Sequence, residues 1–174
     1  PTIYDKDLEA MQVAVNVLSS PLGGRMFQRI RDELGKAYTL GGSVLPFADA
    51  GMVVFYTLTT AENVGKVRSI IEEELASLGQ GPVTPEELAA AQAYLVGNWA
   101  RDRQTIGARA GQAAADEFLG LGHDHDLSFP ERVRSVSAED VQAVARDYLE
   151  AGRAAIITIL PSEKGSGEGV NKTQ

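Results

Sequence analysis

The sequence predicts an α+β fold, an antiparallel sheet with helices packed on one face. The chain reads in order as two helices, a β-hairpin, several more helices and a late apolar strand. That order lacks the strand–helix alternation of a parallel sheet. The length of 174 residues suits one domain with a sizeable core.

Asp5 to Ser19 reads as a helix, because Leu8, Met11, Val15 and Leu18 recur at helical spacing. Ser20-Pro21-Leu22-Gly23-Gly24 interrupts it. A second helix runs from Arg25 to Leu34 with Met26, Ile30 and Leu34 on one stripe, and Gly35 suits its end. Tyr38 to Phe47 and Met52 to Thr60 are strands, joined by the turn Ala48-Asp49-Ala50-Gly51. Glu62 to Leu78 is amphipathic, and Gly79-Gln80-Gly81-Pro82 ends it. Thr84-Pro85-Glu86-Glu87 offers a cap, a proline at the first helical position and a reciprocal Glu, starting a helix that reaches Arg103. Ile106 to Leu119 is an Ala-rich helix broken by Gly120-Leu121-Gly122, and Ser137 opens another to Ala151. Arg153 to Leu160 reads as a final strand, and Ser162 to Gln174 as a disordered polar tail, leaving 1–161 as the domain.

Three strands are few for so many helices, and a further one is expected before Pro1. The chain opens without an initiator Met, so a processed or excised piece is expected, with any leader lost upstream.

The net charge of −8 argues against nucleic acid as partner, since phosphate binding needs a basic face. The absence of cysteine excludes disulfides, thiolate nucleophiles and Cys-ligated zinc. No apolar run approaches a membrane span of about 20 residues. A soluble protein is expected, and its compartment stays open between cytoplasm and periplasm.

The run Leu22-Gly23-Gly24-Arg25-Met26-Phe27-Gln28-Arg29-Ile30-Arg31-Asp32-Glu33-Leu34-Gly35-Lys36-Ala37-Tyr38 resembles the C-terminal half-domain of the M16 metallopeptidases, the family of insulinase, pitrilysin and the mitochondrial processing peptidase. Val83 to Leu88 with Ala91 to Asn98, and then Arg134 to Leu149, are similar to two further family helices in the same order. The resemblance spans Leu8 to Pro161. It implies an M16-type domain, shared in fold with LuxS, that begins with a strand just ahead of Pro1.

The resemblance implies a function too. This half would close on an unfolded peptide against a half that carries zinc in an H-x-x-E-H segment, on the same chain or another. That zinc motif is absent here, so no cofactor is expected in this chain. Arg31 and Tyr38 would be catalytic, donating hydrogen bonds to the carbonyl oxygen as negative charge grows on it. On spacing alone the two are an ordinary solvated helix residue and a half-buried strand residue. Gly41 and Gly42 either keep a strand edge open for substrate or answer a packing need. The runner-up is a catalytically inactive structural subunit, in which Arg31 and Tyr38 are remnants; an unrelated α+β binding module is a third, weaker reading. Surface normally facing the other half would favour homo-oligomers.

Other motifs read more simply. His123-Asp124-His125-Asp126 is a polar loop, Glu72-Glu73-Glu74 a solvated helix face, and Trp99 a core residue. Gly23-Gly24 lacks the Gly-Lys-Ser/Thr of a phosphate loop.

Overall fold

The computed structural model describes residues 1–33, 35 and 37–160, with the backbone alone at 32, 33, 37, 38 and 151. The predicted tail lies outside them. Helix α1 (Leu8–Ser19) is followed by the short α2 (Arg25–Phe27), which continues as a π-helical stretch over Gln28–Glu33. Strands β1 (Ala37–Pro46) and β2 (Gly51–Thr59) form an antiparallel hairpin. Then come α3 (Val64–Gln80), α4 (Pro85–Asp102), α5 (Ile106–Phe118), α6 (Phe129–Ser135) and α7 (Ala138–Tyr148).

Helix α1 is the hub. Ala10, Met11, Val13, Ala14, Val15, Val17 and Leu18 are all buried, so it is apolar on nearly every side and must be covered on every side. It packs against β1, α2, α3, α4, α6 and α7. The hairpin's alternation follows from that packing. Leu40 is buried, and Val44, Val53 and Phe55 lie against the core, all on the α1 face. The pairs Val44 with Val53 and Gly42 with Phe55 fix this register. Leu45, Met52, Tyr56 and Leu58 point the other way and are exposed. Helices thus cover one sheet face, as predicted.

The predicted strand Arg153–Leu160 does not form. Residues 151–153 make a 3₁₀ turn, and 154–160 carry no ladder. The only sheet among the described residues is the hairpin, so this segment has no strand to pair with. Ile156, Ile157, Ile159 and Leu160 are exposed as a result. Helix α6 is an addition to the sequence reading, and Pro130 in its first turn was its signal.

One ion pair ties the start of α2 to the start of α4. Arg25 Nε and Nη2 donate to Glu87 Oε1 and Oε2 at 2.6 and 2.9 Å. Glu87 also closes the capping box: Thr84 N–H donates to Glu87 Oε2 at 2.9 Å, and Glu87 N–H to Thr84 Oγ1 at 3.2 Å. The Arg25 guanidinium holds the Glu87 carboxyl below its ordinary value of 4.5. A depressed carboxyl pKa contributes stability above pH 4.5 that disappears as pH falls through the lower folded value. Glu87→Gln should therefore flatten the acid limb of stability against pH, read from urea midpoints between neutral pH and pH 3. An unchanged acid limb would remove the pair from the pH response.

Gly24 is needed where α2 turns back on α1. A Cβ there would stand 2.5 Å from Ser20 N and 2.9 Å from the Leu18 carbonyl oxygen, both backbone atoms that cannot yield cheaply. Gly24→Ala should cost about 1–3 kcal/mol, seen as a lower urea midpoint at unchanged slope.

Candidate functional site

The stretch from Gly24 to Gly42 carries every site residue expected from the sequence. Its first half is held to α3 by charge. Arg29 Nη1 donates to Glu74 Oε1 and Nη2 to Glu73 Oε2, both at 2.8 Å. These bonds hold the Arg29 guanidinium above its ordinary pKa, Glu74 first and Glu73 second. Glu74 is only 7% exposed, which corrects its reading as part of a solvated face. Arg29 makes that burial tolerable, since a buried carboxylate needs a cationic partner. Ser77 Oγ extends the network, donating to the Glu74 carbonyl at 3.1 Å and accepting from Arg25 Nη1 at 3.4 Å. Sequence reasoning missed Arg29 because its partners stand 44 and 45 positions away.

Ile30, fully buried, and Arg31, exposed, are neighbours on the π-helical stretch. The Arg31 guanidinium lies over the Phe27 ring, 5.1 Å from its centre, and its charge faces solvent. π-Helical turns inside α-helices occur often at functional sites. Gly35 closes the helix at φ +57°, its N–H donating to the Arg31 carbonyl at 2.9 Å. Glycine adopts that left-handed conformation without the Cβ penalty.

Strand β1 begins with an irregularity. Ala37 pairs with Thr59 but Thr39 with Leu58, so β1 holds one residue more than β2 across that step. The extra residue is Tyr38, and the arrangement is a β-bulge. The Tyr38 side chain lies outside the described part of the structure. Its backbone and that of Arg31 both sit at departures from regular hydrogen bonding, on either side of one glycine turn.

Gly41 and Gly42 pair with Tyr56 and Phe55. A Cβ on Gly41 would meet the Tyr56 ring, with its Oη at 2.6 Å. One on Gly42 would meet Ser19 Oγ and the Phe55 ring. Both glycines therefore make room for aromatic rings. The far edge of β1 carries no strand among the described residues.

The remaining motifs separate from this stretch. His123 is exposed in a turn, and its backbone N–H donates to Glu117 Oε2 at 3.0 Å. His125 opens a 3₁₀ turn over His125–Ser128. Trp99 is half-buried in a cavity wall, which corrects its placement in the core; its indole N–H donates to Asp126 Oδ2 at 3.1 Å. Among the described residues no group of three or more His, Cys, Asp or Glu is placed to hold a metal. The zinc that the family implies does not fit this chain, and no helix described is long and apolar enough to cross a membrane.

Comparison with known proteins adds the lineage. Residues 1–95 match the family model of the peptidase M16 inactive domain. A zinc protease of Streptomyces coelicolor is 30% identical over 154 residues, 84% of this chain and 32% of its own length. The zinc protease YmxG of Bacillus subtilis is 26% identical over 92% of this chain and 38% of its own. The chain thus spans about a third of these relatives. Among solved structures, the inactive peptidase domain of a zinc protease from Bordetella parapertussis superposes with a TM-score of 0.73 at 22% identity, covering 87% of this chain and 82% of that one. A chain of Complex III2 from Candida albicans has the same fold, with a TM-score of 0.74 at 15% identity, over 84% of this chain and 37% of that one. With more than half of its residues matched by that family model, the chain belongs to the M16 peptidase family and is its C-terminal, inactive domain.

Proposed function

We propose that this domain is the non-zinc half of a peptidase and lends Arg31 and Tyr38 to the hydrolysis of an unfolded peptide. Zinc and its H-x-x-E-H ligands belong to the other half, on the same chain or a separate subunit. The observation that carries this reading is the placement of both residues at backbone irregularities flanking Gly35. A regular helix and strand would be the cheaper structure, and such departures concentrate where a side chain has to be aimed.

Arg31 offers a permanent charge and N–H donors that Phe27 steadies without consuming. Tyr38 offers a neutral O–H donor. Both act on the carbonyl oxygen of the scissile bond, which gains negative charge as the bond breaks. The unpaired edge of β1 near Gly41 and Gly42 offers backbone donors and acceptors to an extended substrate.

The test is peptide cleavage by the full-length protein together with its zinc-binding half, at equal zinc content. Tyr38→Phe and Arg31→Ala should each lower kcat by about 100- to 1000-fold, the usual loss for one donor to a developing oxyanion. Unchanged turnover would remove the residue from the chemistry. A second reading, a structural subunit without catalysis, draws on the fold shared with the Complex III2 chain. Absence of cleavage by the zinc-loaded wild type would favour it.

A further inference from the structure

Helix α5 buries a carboxylate that no cation answers. Asp116 is 3% exposed. Its Oδ1 accepts from Gln112 Nε2 at 2.8 Å, and its Oδ2 is sealed from solvent with no hydrogen-bond partner. Across from it on α1, Gln12 Oε1 is also buried and unpartnered. Both residues line one half-open cavity of about 390 Å³ between α1, α4, α5 and α6. That volume lies in the range of small-molecule sites, roughly 300–1,000 Å³.

The other buried carboxylates of the wall are matched. Arg132 Nε donates to Glu9 Oε1 at 2.6 Å. Arg103 binds Asp126 through two nitrogens while its guanidinium lies 5.0 Å from the Trp99 ring centre. The wall's two arginines are thus committed, and Asp116 is left as a surplus negative charge. A buried carboxylate with an idle oxygen costs several kcal/mol unless something supplies a proton donor and a positive charge.

Both idle atoms are acceptors, so the missing group must carry N–H donors. We propose that this cavity binds an organic cation with N–H donors, a primary ammonium or a guanidinium on a short alkyl stem. Asp116 Oδ2 and Gln12 Oε1 receive its hydrogen bonds, and Leu95, Leu119 and Phe129 line the space for its stem. Lysine and arginine side chains of peptides share this chemistry with free alkylamines. A metal ion fits poorly, since no group of three ligating side chains is gathered among the described residues. The site does not involve Arg31 or Tyr38 and stands independently of the proposed catalysis.

The experiment is calorimetric titration of the intact chain with butylammonium and butylguanidinium, with 1-butanol and tetramethylammonium as controls. The N–H cations should bind at least about tenfold tighter than either control, since each control lacks the charge or the donors. Asp116→Asn, of nearly the same shape, should weaken the cations by about tenfold or more and leave 1-butanol unaffected. Gln12→Leu provides a second variant if Asp116→Asn lowers the urea midpoint, and should weaken the same ligands. Nα-acetyl-lysine amide binding as well as butylammonium would assign the site to peptide side chains; butylammonium binding alone would assign it to free amines, and either supports the cation site. Equal binding of 1-butanol, or cation binding unchanged in both variants, would overturn it.

Discussion

A helix that is apolar on every side has no face it can leave in water, and α1 is such a helix. Each buried Val, Leu or Met on it is worth roughly 1.5–3 kcal/mol when covered. The sheet covers one side, and α2, α3, α4, α6 and α7 cover the rest. The hairpin owes its alternation to α1, and α2 must turn back sharply at Gly24 to reach it. The arrangement of the whole chain follows from the need to enclose this one segment.

Charge then sets the angle at which the outer pieces meet. Arg25 and Arg29 leave α2 and its π-helical continuation and reach Glu87, Glu73 and Glu74 on two other helices. Glu87 is the busiest of these, because one carboxylate both caps α4 and holds Arg25. Arg31 needs no such anchor. Its neighbours Arg29 and Ile30, one in a salt bridge and one in the core, fix the backbone on which it stands.

The sequence revealed what depends on near neighbours. The Thr84 cap, the Gly35 helix end and the hairpin turn at 48–51 all rest on residues a few positions apart, and all three appear as read. What depends on distant partners was hidden. Glu74 looked solvated because Arg29 lies far back in the chain, and Trp99 looked like core because nothing local betrays the cavity beside it. The apolar run 154–160 had a strand's composition, but composition supplies no neighbouring strand. The candidate site was found by resemblance to a family, because Arg and Tyr seven residues apart are unremarkable in themselves. The π-helical turn and the bulge are shifts of hydrogen-bond register, and no residue type announces them.

The π-helical stretch also bears on how this segment can change in length. It has the extra residue per turn that sets a π-turn apart from an α-turn, while Ile30 and Arg29 hold one side of it to the core. An α-helix turns by about 100° per residue. Loss of a single residue between Gln28 and Glu33 would let the segment relax to an α-helix, and would swing everything C-terminal to the deletion by about that angle. The core stripe ending at Ile30 and the turn at Gly35 would then disagree over direction. Substitutions in this segment change one side chain each, whereas a one-residue deletion re-aims a whole turn, so its length is under tighter constraint than its composition.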